Sequence, residues 1–160
     1  MNPPQNPSPS HLTVHRCVQA DDAAWLRLRQ ALWPECARAE HLAEMADIVA
    51  ASERWAVFLV YADARPDAVG VAEVALRYDY VNGTASSPVA FLEGIYVDPQ
   101  YRRQGTARLL VEAVQGWAAQ AGCMELASDA LLGNAQSHAL HRALGFVETE
   151  RVVFFNKRLT

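Results

Sequence analysis

The sequence is poor in the features that would take it out of the class of ordinary folded domains. Its three cysteines, Cys17, Cys36 and Cys123, are odd in number, far apart and in no metal-ligand spacing. That argues against a disulfide framework or a metal site and for free thiols in a reducing compartment. No apolar run approaches the roughly 20 residues needed to span a bilayer. The opening stretch MNPPQNPSPSH has no basic segment followed by an apolar core, so it does not read as a secretory signal. Its prolines predict a disordered tail over residues 1–11, and the whole pattern predicts a cytoplasmic protein without a membrane partner. Basic excess is lacking too: 14 Lys and Arg face 18 Asp and Glu, for a formal net charge of −4. Nucleic-acid binding therefore has no support. A mildly acidic surface suits cationic partners, although it is also the commonest arrangement for solubility.

What is present fits one α/β domain over residues 12–160, with enough apolar residues (51%) for a sizeable core. LTVHRCV alternates as a half-buried strand does. ADDAAWLRLRQALW follows as a helix, with Asp21 or Asp22 as N-cap, an apolar face of Trp25, Leu28 and Leu32, and Pro34 as its stop. RAEHLAEMADIVAA carries Leu42, Met45, Ile48 and Val49 at helical spacing. RWAVFLVYA, AVGVAEVALRYDY and VAFLEGIYV are three strands separated by the turn-rich DARPD and VNGTASSP. TARLLVEAVQGWAAQAG is a helix, CMELASD a short strand, and NAQSHALHRALG a helix ended by Gly145. FVETERVVFFNKRL closes the chain in one or two strands. The expected order is β-α-α-β-β-β-α-β-α-β-β, a mixed sheet with a parallel strand-helix-strand crossover after residue 89.

Two local oddities stand close together. Glu93 interrupts the apolar run VAFLEGIYV, and a carboxylate in a buried strand is costly unless paired or used. Nine residues later, RRQGTA opens a helix: Gly105 lets backbone approach a ligand, the first helical N–H groups are free, and the dipole favours an anion. Arg102 and Arg103 add attraction, which suits a pyrophosphate. The plain alternative is an ordinary tight turn. No Gly-Lys-Ser/Thr follows, so this is not a Walker A loop.

Arg102-x-x-Gly105-x-Ala107 after IYVDPQY resembles the acetyl-CoA signature of the GNAT superfamily of N-acetyltransferases, and NAQSHALHRALGF is similar to their second, Asn-bearing coenzyme segment. Within that superfamily, LW, RYDYVNG, SSPVAFLEGIYV, ELASD and ALGFVETERVVFF resemble the aminoglycoside 6'-N-acetyltransferases. The resemblance covers about residues 12 to 158. It implies the GNAT fold with splayed central strands, acetyl-CoA as cosubstrate, an aminoglycoside as acceptor and a homodimer joined through the C-terminal region.

Residue by residue, the resemblance implies a coenzyme site made by the backbone of Ile95 and Val97, the loop Arg102, Arg103, Gln104, Gly105, Thr106 and Ala107, and Asn134 and His141. It implies catalytic and amine-binding roles for Glu93 and Asp129, with Trp33 and Tyr80 supporting sugar rings; no metal is implied. The chemistry is consistent, because an amine must lose a proton to attack a thioester and a carboxylate can accept it. Asp129 ends a strand at the carboxyl edge where open α/β sheets gather ligands. Other readings stay open: Glu93 paired with an arginine, Asp129 capping the turn before ALLGN, His141 packing rather than serving as the acid usually supplied by a tyrosine, and core roles for Trp33 and Tyr80. Acetylation of a polyamine or peptide amine, or acyl-CoA binding without catalysis, are the alternative functions.

Overall fold

The computed structural model describes residues 11–63 and 65–159, so most of the expected N-terminal tail lies outside the described residues. Five strands form one sheet in the order β1-β2-β3-β4-β5: β1 (Leu12–Cys17), β2 (Trp55–Ala62), β3 (Ala68–Arg77), β4 (Val89–Val97) and β5 (Leu126–Ser128). The first four pair antiparallel. β5 joins β4 in parallel, as the crossover through α3 (Thr106–Gln120) requires. Helices α1 (Ala23–Leu32) and α2 (Arg38–Ala50) lie between β1 and β2, and α4 (Ala135–Ala143) follows β5.

β3 is buried along nine of its ten residues, so both faces of the sheet are covered and the strand reads as a nearly continuous apolar run. Alternation sorts its side chains and those of β2 to two cores. Val57, Leu59 and Val71 meet Trp25, Leu28, Met45 and Ile48 of α1 and α2 on one face. Phe58, Val60, Ala72 and Val74 meet Leu110, Val111, Val114 and Ala118 of α3 on the other, joined by Val69 from the irregularity in the β2–β3 register. Asp22 caps α1, its carboxylate accepting from the Trp25 amide at 2.8 Å.

β5 pairs with β4 at only three positions, Ala90–Leu126, Phe91–Ala127 and Leu92–Ser128. Beyond Leu92 the two strands part, and Glu93–Val97 runs on without a neighbour on that side. This is the expected splay. The closing strands are corrected: residues 146–159 form no strand among the described residues. The segment is fastened near its start, where Asn82 donates to Glu150 at 2.9 Å. Past that point it finds no ladder among the described residues, and Val153, Phe154 and Phe155 stand 77%, 89% and 94% exposed. High β propensity without a strand to pair with leaves it irregular.

Candidate active site

The site begins with a break in the β3–β4 register. Glu73 faces Gly94 and Val74 faces Leu92, so Glu93 is an extra residue with no partner opposite it, a β-bulge. Gly94 beside it is required by a close approach: a Cβ there would lie 2.6 Å from the ring of Trp33, which sits at the C-cap of α1. The Trp33 ring carries the Arg29 guanidinium 4.8 Å from its centroid on another side.

Arg29 belongs to a buried network. Its Nη1 donates to Glu73 Oε2 at 2.6 Å, Trp25 Nε1 donates to the other Glu73 oxygen at 2.6 Å, and Arg29 also pairs with Glu44. Burial pushes the Glu73 carboxyl above its ordinary value, opposed by the Arg29 charge and the Trp25 hydrogen bond. Arg29, Glu44 and Glu73, but not Trp25, line a cavity of about 550 Å³ with Trp33, Cys36, Asp47, Ile48, Ala51, Trp55 and Glu93. Its wall therefore includes two tryptophans, one arginine and four carboxylates.

Glu93 is not an isolated acid. Arg77 donates to it from Nη2 at 2.8 and 2.9 Å, reaching both carboxylate oxygens, and from Nε at 3.2 Å. The arginine itself lies flat on Phe91, 3.4 Å from the ring centroid. Glu93 is thus paired with an arginine but is not deeply buried; the deeply buried carboxylate of this region is Glu73.

On the other side of β4 lies the start of α3. Gly105 is its N-cap at φ 89°, in the left-handed region, and no side chain caps the helix. A Cβ on Gly105 would meet nothing within 4 Å, so the approach to the free N–H groups is open. Arg103 is also left-handed at φ 59°. Such a turn aims successive amides at one point. Thr106 is buried, its hydroxyl donating to the Tyr101 carbonyl at 2.8 Å, and Gln104 donates to Gln100 at 2.7 Å; both brace the loop. Arg102 turns back, Nε donating to the Val97 carbonyl at 2.9 Å, and Ala107 packs partly against the α3 core. Ile95 and Val97 pair with β3 but stand on the part of β4 beyond its ladder with β5.

At the end of β5, the Ser128 hydroxyl lies 3.2 Å from the Leu92 carbonyl, and Asp129 follows as an exposed residue. Because Leu92 and Ser128 are partners, Glu93 and Asp129 are the next residues on parallel strands, at the level where those strands separate. His141 Nδ1–H donates to the Ser137 carbonyl at 2.8 Å, and its Nε2 is 2.9 Å from Ser128 Oγ. Asn134 caps α4, accepting from the Ser137 amide at 3.0 Å.

The structure thus sets side by side an open helix start, a split between parallel strands and an acidic cavity that Glu93 lines. Residues 23–146 match the acetyltransferase (GNAT) family. The chain belongs to the GNAT acetyltransferases. An aminoglycoside N(6')-acetyltransferase type 1 of Stenotrophomonas maltophilia is 52% identical over 147 residues, covering 92% of this chain and 94% of the relative. One of Serratia marcescens is 56% identical over 136 residues, 85% and 92% of the two chains. Among solved structures, AAC(6')-Iy in complex with the bisubstrate analog CoA-S-monomethyl-acetylneamine superposes with a TM-score of 0.87 at 44% identity, covering 94% of this chain and all of that one. AAC(6')-Ih from Acinetobacter baumannii gives 0.87 at 46%, with the same coverage.

Of the residues that sequence singled out in this GNAT chain, Glu93 and Trp33 share the cavity, and Gly105, Thr106 and their neighbours share the α3 start. Tyr80 does not join them: it is 77% exposed in the β3–β4 loop and is not part of the cavity wall. Sequence reasoning missed Arg29, Glu44, Asp47, Trp55, Glu73 and Arg77. A second signal was available for Glu73, which interrupts the apolar run VGVAEVAL as Glu93 interrupts its own.

Proposed function

We propose that this protein transfers the acetyl group of acetyl-CoA to the 6'-amine of aminoglycosides by direct attack in a ternary complex, an acetylation that confers resistance to these antibiotics. One observation carries the reading: Glu93 lines the acidic, tryptophan-walled cavity and is also the first β4 residue beyond its pairing with β5, so an amine held in the cavity reaches the strand opening there. The names of the relatives and the bisubstrate complex of the structural neighbour support it.

The residues present fit the cosubstrate, since the open, uncapped start of α3 suits a pyrophosphate. The amides of Gly105, Thr106 and Ala107 would hold it, with Arg102, Arg103 and Gln104 shaping and charging the loop. Acetyl-CoA supplies the thioester carbonyl. The backbone around Ile95 and Val97, beyond the ladder with β5, offers donors for the pantetheine arm and for charge developing on the acetyl oxygen. Glu93 and Asp129 orient the amine and take up its proton, directly or through water. Both ring nitrogens of His141 are engaged, so it serves as a tie between α4 and β5 and leaves protonation of the sulfur to water. Asn134 fixes the start of α4 as the second coenzyme segment. Trp33 gives a flat face to a sugar ring.

The exposed apolar stretch Val152–Phe155 supports a homodimer, because a bare strand-forming segment is covered at lowest cost by a second copy. The enzyme works in the cytoplasm, where acetyl-CoA is made available to it. The deciding experiment is turnover across aminoglycosides with mapping of the product: kanamycin-like compounds bearing a 6'-amine should be acetylated there and 6'-hydroxy analogues left unmodified. Efficient turnover of spermidine with none of any aminoglycoside would give the acceptor to the polyamines. Sedimentation should show a dimer, and a single species near 17.6 kDa would refute that part.

A further inference from the structure

We propose that Arg77 is a positioning residue for the transfer: it clamps the Glu93 carboxylate from behind and fixes the direction in which that carboxylate meets the amine. The inference rests on the reading that Glu93 serves the acceptor amine. A side chain in a regular ladder is aimed by its cross-strand neighbours, but Glu93 is the unpaired residue of the bulge and has none. Its direction must come from elsewhere, and the hydrogen bonds from Arg77 to both carboxylate oxygens supply it.

The clamp is itself held. The Arg77 guanidinium lies flat on Phe91, and Phe91 is 5% exposed in a cluster with Val81 and Val89, so the chain of support runs from a buried ring through a planar fork to the carboxylate. Glu93 lines the cavity whereas Arg77 does not. The arginine therefore stands on the side away from the amine and leaves the cavity side of the carboxylate, with its remaining acceptor capacity, to the substrate. A lysine at position 77 would keep the charge but lose both the fork and the flat stack.

The test is steady-state kinetics of the full chain with acetyl-CoA and a 6'-amino aminoglycoside, on Arg77→Met, Arg77→Lys, Glu93→Gln and the double variant Arg77→Met/Glu93→Gln. Arg77→Met should lower kcat by about tenfold or more, since small misplacement of a reacting group is costly. The KM for acetyl-CoA should not change, and Arg77→Lys should recover only part of the loss. The double variant should be no slower than Glu93→Gln alone, because the two groups act as one unit. Phe91→Leu removes only the stack and should lower kcat in the same direction by a smaller factor, which keeps the test open if Arg77→Met does not fold. An unchanged kcat in Arg77→Met or Phe91→Leu, or losses that multiply in the double variant, would overturn the inference. If Glu93→Gln itself is fully active, it is the reading of Glu93 that fails.

Discussion

The Arg29–Glu73 and Arg77–Glu93 pairs are made of the same two groups, with the carboxylates on neighbouring strands, Glu73 facing Gly94 and Glu93 the residue before it. Their surroundings separate them. The side chains of the first pair are 3% and 2% exposed, and Glu73 is held by Trp25 as well. Those of the second are 40% and 24% exposed. A buried pair contributes little net stability over an apolar replacement, yet losing one partner strands a charge. A half-exposed pair costs little to break, and solvent screens what remains. The difference suits the first pair to holding the fold at the cavity wall and leaves Glu93 of the second available for the proposed chemistry.

Removing one partner from each pair should separate these roles. The largest effect is expected from Arg29→Met, which leaves Glu73 buried and unpaired and should cost about 3–5 kcal/mol of stability, read by denaturant unfolding. A loss below about 1 kcal/mol, the range of exposed pairs, would erase the distinction. Glu93→Gln should do the reverse: turnover lower by about 10²-fold if the carboxylate handles the proton, with stability changed by no more than about 1 kcal/mol. A rise in KM alone would make Glu93 a binding group.

Gly94→Ala probes the seam between the pairs, because the new methyl meets the Trp33 ring that Arg29 covers. Overpacking should cost about 1–3 kcal/mol and raise the aminoglycoside KM more than that of acetyl-CoA. Equal changes in both would mean that Trp33 does not shape the acceptor side.

The smallest effect should come from a third carboxylate that has no arginine. Glu125 accepts from the Ser86 hydroxyl and from the amides of Ala85 and Ser86, and these hydrogen bonds, the hydroxyl first, hold its carboxyl below the ordinary 4.5. Its contribution is therefore in full force above 4.5 and is lost as pH falls through the lowered folded value. Glu125→Gln should melt slightly below the parent at neutral pH, and the gap should close in acid. A gap that widens in acid would reverse the sign.

Much of the fold was legible because periodicity is local. Trp25 and Leu28, and Met45 and Ile48, announce helices whose faces the structure buries, and Asp22 and Gly105 mark the starts of α1 and α3. The site was half legible for the same reason: Gly105 and Glu93 are anomalies visible within one segment. What escaped is long-range. Arg29 and Glu73 are 44 residues apart and Arg77 and Glu93 are 16 apart, and a one-residue bulge decides which carboxylate each arginine meets. The tail escaped because strand propensity names a capacity, while the ladder partner comes from the rest of the molecule.

The placement of the four tryptophans gives the protein an optical reporter. Trp25 is fully buried against Glu73, and Trp117 packs at the edge of the α3 core, so neither meets an incoming ligand. Trp33 and Trp55 line the cavity. A ligand that fills the cavity changes the polarity around those two indoles alone, and their fluorescence registers its arrival without a label or an acetyl donor. Comparing Trp33→Phe with Trp55→Phe then resolves which end of the cavity a bound ring occupies.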